Sequence, residues 1–252
     1  MAEHSYNSLK EFYDRKYPAY DAALDNLYPT LKTIRKANLA IFFEYRVKEF
    51  DSFRRKFEKK NAVKAEKGES LIPLEDTAIF EEIRDGAGVR IIIPYKDRVQ
   101  EIVDIIETIP NLKTEKTRDY NADPKPNGYS GFHLYCSYKV PIYHNDNIYE
   151  DKDEDDEENG NENVNLSDIA AKAQPKVEWV WVPVEIQIRT LAQHVWATYE
   201  HKHRYKAKRA RAEIGDKMID ILFKQLARVC GIIDKLVIRI RDLCEGTKIV
   251  AR

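Results

Sequence analysis

Apolar residues recur every three or four positions along the first 40 residues, with Leu24, Leu27, Leu31 and Ile34 on one face. That spacing predicts helix. Pro18 and Pro29 fall inside the stretch and mark places where helices start or kink, so it reads as N-terminal helices. From residue 43 the pattern changes to alternation, and 41–48 reads as a strand. A charged helix follows from Asp51 to Lys64, then a linker at 65–75 holding Gly68 and Pro73. Val89–Ile93 is a β-branched strand entered through the turn Asp85-Gly-Ala-Gly88. Asp97–Thr108 reads as a helix with Val99, Ile102, Val103 and Ile106 on its apolar side, ended by Pro110. Further strands are predicted at Lys113–Tyr120, Phe132–Val140 and Val177–Arg189. Pro124, Pro126 and Gly128 make 121–130 a loop. Thr190–Tyr205 reads as a helix.

The last stretch follows a stricter rule. Ile219, Leu222, Leu226, Val229, Ile233, Leu236, Ile240 and Leu243 alternate spacings of three and four, a heptad seam. A long helix packed on its own domain and an oligomerisation helix both fit this pattern. There is no internal repeat. The whole order predicts an α/β (α+β) fold: a mixed, roughly five-stranded sheet flanked by helices, with N-terminal helices and a long C-terminal helix. The expected division is a domain over 1–210 and a helical extension over 211–252.

Composition changes this picture in two respects. The 252 residues contain three cysteines without CxxC spacing, no leader-like start and no apolar run near 18 residues, which points to the cytoplasm and away from a membrane. The net charge of −1 hides an asymmetry. Residues 146–162 hold ten acids against one base, Lys152, leaving 41 bases against 33 acids elsewhere, a body of +8. The stretch 144–175 is acidic, Asn-rich and poor in apolar residues, and reads as a disordered insertion between paired strands. A basic body suits phosphate-bearing ligands.

Four places could carry chemistry. In Glu185-Ile-Gln-Ile-Arg-Thr190, period two puts Glu185, Gln187 and Arg189 on one face and the isoleucines on the other. That polar face is either a site or a solvated sheet surface with cross-strand ion pairs. Asp85 sits in a glycine turn before a core strand, and with Glu185 it could hold Mg²⁺, which commonly takes one or two carboxylates plus substrate phosphates; an ordinary turn is the plainer alternative. The loop Asp123–His133 offers Lys125, Asn127, Tyr129 and His133, and an exposed tyrosine beside a lysine suits base stacking and phosphate binding. Arg46 and Lys48 on a strand, with Ser52, Arg54, Arg55 and Lys56 on the next helix, form either a phosphate site or a solvated basic face. No Gly-x-x-x-x-Gly-Lys-Ser/Thr run occurs, excluding a P-loop. His194 and His201 share a helix face but lie about 10 Å apart along it, too far to share a zinc ion.

Together these residues resemble the synthetase domain of the RelA/SpoT family, specifically its small single-domain alarmone synthetases, over roughly 20–210. The resemblance rests on Arg46-x-Lys48-x-x-x-Ser52-x-x-x-Lys56, Asp85-x-x-Gly88-x-Arg90, the basic run Lys116–Tyr120, Pro124–Tyr129, Glu185–Thr190, and Trp196-Ala-x-x-x-Glu200-His201-x-x-Arg204-Tyr-Lys206. It implies a nucleotidyltransferase-like fold and transfer of the β,γ-pyrophosphate of ATP to the ribose 3′-hydroxyl of GDP or GTP. It implies ATP held by Arg46, Lys48, Ser52, Lys56 and Arg118, with Mg²⁺ on Asp85 and Glu185. Glu185 would orient or deprotonate the 3′-hydroxyl. Tyr129 would stack on the acceptor base, and Lys125, Asn127, His133 and Gln187 would fix the acceptor. The loop departs from the family pattern at Ser130-Gly131-Phe132, and Gln193-His194 stands where many members carry Met-Asp. A branch of the family that modifies the 3′ end of tRNA, or adenosine nucleotides, and is neutralised by an antitoxin is the alternative. The basic stretch Lys202–Arg211 would then face RNA. A third alternative is a catalytically inactive nucleotide or RNA sensor.

Overall fold

The structure, a computed structural model, describes residues 3–144, 176–205 and 213–250. The predicted acidic insertion, except His144, and most of the basic stretch after Tyr205 lie outside the described residues.

The N-terminal segment is one helix, α1 (Glu3–Lys36), which runs through both prolines. Each interior proline removes a backbone hydrogen bond, at about 3 kcal/mol. The buried stripe of Leu9, Phe12, Tyr20, Leu24, Leu27, Leu31 and Ile34 keeps the helix continuous by packing along its whole length. The chain leaves α1 through Asn38 at φ 59, a conformation asparagine tolerates. It then forms β1 (Phe42–Val47), α2 (Phe50–Glu66) and α3 (Asp76–Glu82). The pattern did not predict α3, whose seven residues complete barely two helical turns. Its buried Ile79 joins Phe12, Phe53, Phe57 and Ile83 in a small second core.

Next come β2 (Ala87–Ile93), a 3-10 turn at Lys96–Arg98, α4 (Val99–Glu107), β3 (Leu112–Asp119) and the long pair β4 (Phe132–His144) and β5 (Lys176–Thr190). The sheet order is β1-β2-β5-β4-β3. Only β2 and β5 run parallel; the other neighbours are antiparallel. The mixed five-stranded sheet is therefore as expected.

One face of the sheet is core. Val182, Val184, Ile186 and Ile188 of β5 are buried with Val89, Ile91 and Ile93 of β2 and Leu134, Cys136 and Val140 of β4. They pack against α1 and the Ile102–Ile106 stripe of α4. The other face is left free to carry charge. After β5, Thr190 caps α5 (Leu191–Glu200): its side chain accepts from the Gln193 N–H while the Gln193 side chain accepts from the Thr190 N–H at 2.9 Å. A π-helical turn at His201–Tyr205 closes this element, and α6 (Glu213–Val250) ends the fold.

Most of the heptad seam of α6 is exposed, while Ile219 and Leu226 pack against its own domain. The inward positions are Phe223, Cys230 and Asp234, whereas Leu222, Val229, Ile233, Leu236, Ile240 and Leu243 are exposed. The helix packs on its own domain through Phe223, Cys230 and the seam residues Ile219 and Leu226, which is one of the two readings of the seam.

Candidate active site

Strand register builds the site. Across the free face, Arg46, Gly88, Glu185, Tyr135 and Lys116 stand opposite one another from β1 to β3. The next row is Glu44, Arg90, Gln187, His133 and Arg118. Period two thus gathers residues of four separate motifs into two adjoining polar rows. Arg46, Asp85, Arg90, Glu185 and Gln187 line a cleft of about 390 Å³. Lys56, Arg84, Lys116, Arg118, Tyr120 and Tyr135 line a second hollow of about 580 Å³.

Asp85 stands at the mouth of β2. Its carboxylate meets Lys48 Nζ at 3.0 Å and Lys56 Nζ at 2.8 Å. Burial alone would raise this carboxyl; the two ammonium groups outweigh that and hold it below the ordinary aspartate range. The glycines around it do not both serve a ligand. A Cβ on Gly86 would fall 2.3 Å from the Tyr20 ring, so that position is filled by α1, and Gly88 alone lines the cleft.

Glu185 is the second acid. Its Oε1 accepts from His133 Nδ1 at 2.9 Å and its Oε2 accepts from Gln187 Nε2 at 2.7 Å. Burial would raise its carboxyl, and these bonds overcome it and hold the group ionised. Burial pushes the His133 imidazole down, so it stays neutral. Asp85 and Glu185 sense each other's charge and share one cleft. Two ionised oxygen donors beside basic side chains are the donor set that suits Mg²⁺ completed by phosphates and water. The residues present fit that ion.

Tyr129 departs from expectation. The loop predicts an exposed ring, whereas it is 8% exposed. Lys125 Nζ lies 4.7 Å from its ring centroid and Arg189 Cζ 5.0 Å. Tyr120, His133 and Trp196 meet it edge-on. Its burial comes from α6: Tyr129 shares a cluster with Trp196, Phe223 and Cys230, and the Trp196 indole N–H donates to the Phe223 carbonyl at 2.8 Å.

The other predicted residues take distinct places. Asn127 does not face the clefts: its Oδ1 accepts from the Tyr129 N–H at 3.1 Å and its Nδ2 donates to Glu200 at 3.3 Å, which shapes the loop. Ser52 lies in the first turn of α2, where its hydroxyl accepts from Arg55 at 3.3 Å. Lys125 is exposed but lies over the Tyr120 and Tyr129 rings, and desolvation lowers its pKa. Pattern reading left three site residues without a role: Arg90, which donates to Glu44 at 3.0 Å; Tyr120, on the wall of the second hollow; and Arg189. All three lie within the motifs already quoted, and register is the signal that would have found the first and last.

A phosphate-handling α+β fold with two carboxylates on the face of a mixed sheet is the class these features define. The sequence region found in RelA and SpoT proteins matches residues 45–210, well over half of the chain. The chain belongs to the RelA/SpoT family. GTP pyrophosphokinase YwaC of Bacillus subtilis (strain 168) is 37% identical over 62 residues, 25% of this chain and 30% of that relative. The chain therefore spans less than a third of that protein's length in this match. Small alarmone synthetase 1 of Bacillus subtilis, bound to its product pppGpp, is similar over 90% of this chain and 95% of its own, with TM-score 0.63 and 25% identity. A GTP pyrophosphokinase family protein from Streptococcus pneumoniae is similar over 98% and 97%, with TM-score 0.61 and 24% identity. Among the described residues no helix is long and apolar enough to cross a membrane.

Proposed function

We propose that this chain is a pyrophosphokinase that moves the β,γ-pyrophosphate of ATP onto the ribose 3′-oxygen of GDP or GTP. The observation that supports it most is the pair Asp85 and Glu185, both ionised, in one cleft lined by Arg46 and Arg90. Such transfer depends on neutralising phosphate charge and aligning reactants more than on covalent chemistry. Arg46, Lys48, Ser52, Lys56 and Arg118 are assigned to ATP. Asp85 and Glu185 would hold Mg²⁺, which when bound supplies charge neutralisation at the phosphate oxygens. Glu185 takes the proton of the acceptor 3′-hydroxyl. The 3′-oxygen then bonds to the β-phosphorus, the bond from that phosphorus to the α,β-bridging oxygen breaks, and AMP leaves.

Lys125, Asn127, Tyr129, His133 and Gln187 belong to the acceptor side. An acceptor base stacks on Tyr129 by displacing the Lys125 ammonium from its ring, which frees that charge for the acceptor's phosphates. The exposed seam of α6 pairs with a second copy of the chain, and the enzyme works in the cytoplasm.

The test is an acceptor panel: purified protein, Mg²⁺ and ATP labelled in its β,γ-phosphates, with GDP, GTP, ADP and deacylated tRNA supplied separately. Label on GDP or GTP is expected. Label only on tRNA would replace this reading with the translation-blocking one and make an antitoxin the partner to seek. Label on none would leave a nucleotide sensor.

A further inference from the structure

Five side chains, the proposed base Glu185 among them, close a ring of hydrogen bonds. Arg189 Nη2 donates to Gln187 Oε1, and Gln187 Nε2 donates to Glu185 Oε2 at 2.7 Å. On the other side Arg189 Nε donates to the Tyr129 hydroxyl at 3.1 Å, Tyr129 meets His133 Nε2, and His133 Nδ1 meets Glu185 Oε1 at 2.9 Å.

The ends of this ring fix the direction of every bond. A guanidinium can only donate and a carboxylate can only accept. Tyr129 accepts from Arg189, so its own proton points to His133 Nε2. His133 then carries its proton on Nδ1 and donates it to Glu185. Both chains therefore run from Arg189 to Glu185, one through each carboxylate oxygen. The guanidinium is itself buried and held over the Tyr129 ring, so it cannot turn away into water.

We infer that Arg189 is a positioning residue that fixes the Glu185 carboxylate through two converging hydrogen-bond chains, one via Gln187 and one via Tyr129 and His133. The Tyr129 hydroxyl thereby has a duty separate from its ring. This inference rests on the reading of Glu185 as the group that prepares the acceptor hydroxyl.

Two measurements test it. The first needs no nucleotide or metal. In protein labelled with ¹⁵N-histidine, the His133 signal, assigned by its loss in His133→Gln, should show a neutral ring protonated on Nδ1. Free imidazole favours the other nitrogen. Tyr129→Phe should leave that proton in place, since Glu185 still requires it, and shift the Nε2 resonance, which loses its hydrogen-bond donor. A ring protonated on Nε2 in the unaltered protein overturns the inference.

The second is kinetic. Tyr129→Phe keeps the ring and deletes the hydroxyl, and it should lower kcat about 100-fold, the scale set by misplacing a reacting group. Acceptor KM should stay within about twofold. Wild-type kcat in Tyr129→Phe would also overturn the inference. Arg189→Met should cost less in the Tyr129→Phe background than alone, because one chain is already cut. Should Arg189→Met fail to fold, the tyrosine variant and the spectrum still decide. Should wild-type protein label no acceptor, the transferase reading fails, and the spectrum still decides the hydrogen-bond chain.

Discussion

Asp85 shows how one side chain serves stability and chemistry together. It balances Lys48, whose own side chain is largely buried, and Lys56 at the rim. Removing one member of a buried pair leaves the other uncompensated, at a cost of about 3 kcal/mol. Asp85→Asn should therefore lower unfolding stability by about that amount in denaturant titration at neutral pH, and abolish transfer. Because its folded pKa lies below its unfolded value, the carboxylate contributes fully above the unfolded value and less as pH falls through the folded one. The gap between wild type and Asp85→Asn should thus shrink in acid. A constant gap between pH 7 and pH 2 would deny Asp85 this role. Much of the residue-level site was legible in the sequence: alternation alone set Glu185, Gln187 and Arg189 on one face. The burial of Tyr129 was not, because what covers it, Phe223 and Trp196, follows from tertiary packing across long sequence separations that no local pattern encodes.

At the scale of elements, the β2–β5 pairing and the turn after β3 matter most. The strands were readable because a half-buried sheet enforces period two. The continuity of α1 was not, since local proline chemistry argued for a break and burial along the whole helix decided otherwise. The acceptor loop depends on α6 in the same nonlocal way. Gly128 has φ 94, and a Cβ there would lie 2.8 Å from the Ala227 side chain. Loop and helix thus meet at a position with room only for hydrogen. Gly128→Ala should strain the loop backbone and push α6 outward, lowering stability by about 2 kcal/mol and raising acceptor KM more than ATP KM. Pairing Gly128→Ala with Ala227→Gly removes the clash but not the backbone strain, so it should restore part of both losses. Equal effects on the two KM values would mean that α6 does not shape the acceptor side.

Among the described residues α6 carries apolar side chains on two sides, one packed on the domain and one largely exposed. Phe223, Leu226 and Cys230 serve the domain, while the seam residues Leu222, Val229, Ile233, Leu236, Ile240 and Leu243 are exposed, Leu243 by 72%. Leu191, Val195 and Tyr199 of α5 add exposed apolar surface. Leu191 and Val195 also border a hollow of about 440 Å³, whose other lining includes Ile41, Leu226, Val229 and Ile233. Contiguous apolar surface of this kind marks an association site. The proposed occupant is a second copy of the chain. Alternating steps of three and four let a helix interdigitate with a second helix of the same spacing, and a two-fold axis makes that helix the seam of another copy. The inner face of α6 also holds Gly128 and Tyr129 in place, so self-association would bear on the acceptor loop through a single rigid element. Light scattering after size-exclusion chromatography should show a dimer or higher oligomer at micromolar concentration. Leu236→Glu with Ile240→Glu, both on the exposed seam, should produce a folded monomer with unchanged far-ultraviolet circular dichroism. If pairing supports the loop, that monomer should show a raised acceptor KM, and activity of the unaltered chain should fall on dilution. A wild-type protein that is monomeric at 50 μM, taken as roughly a practical upper concentration for a specific pair, would leave the seam without the partner argued for it.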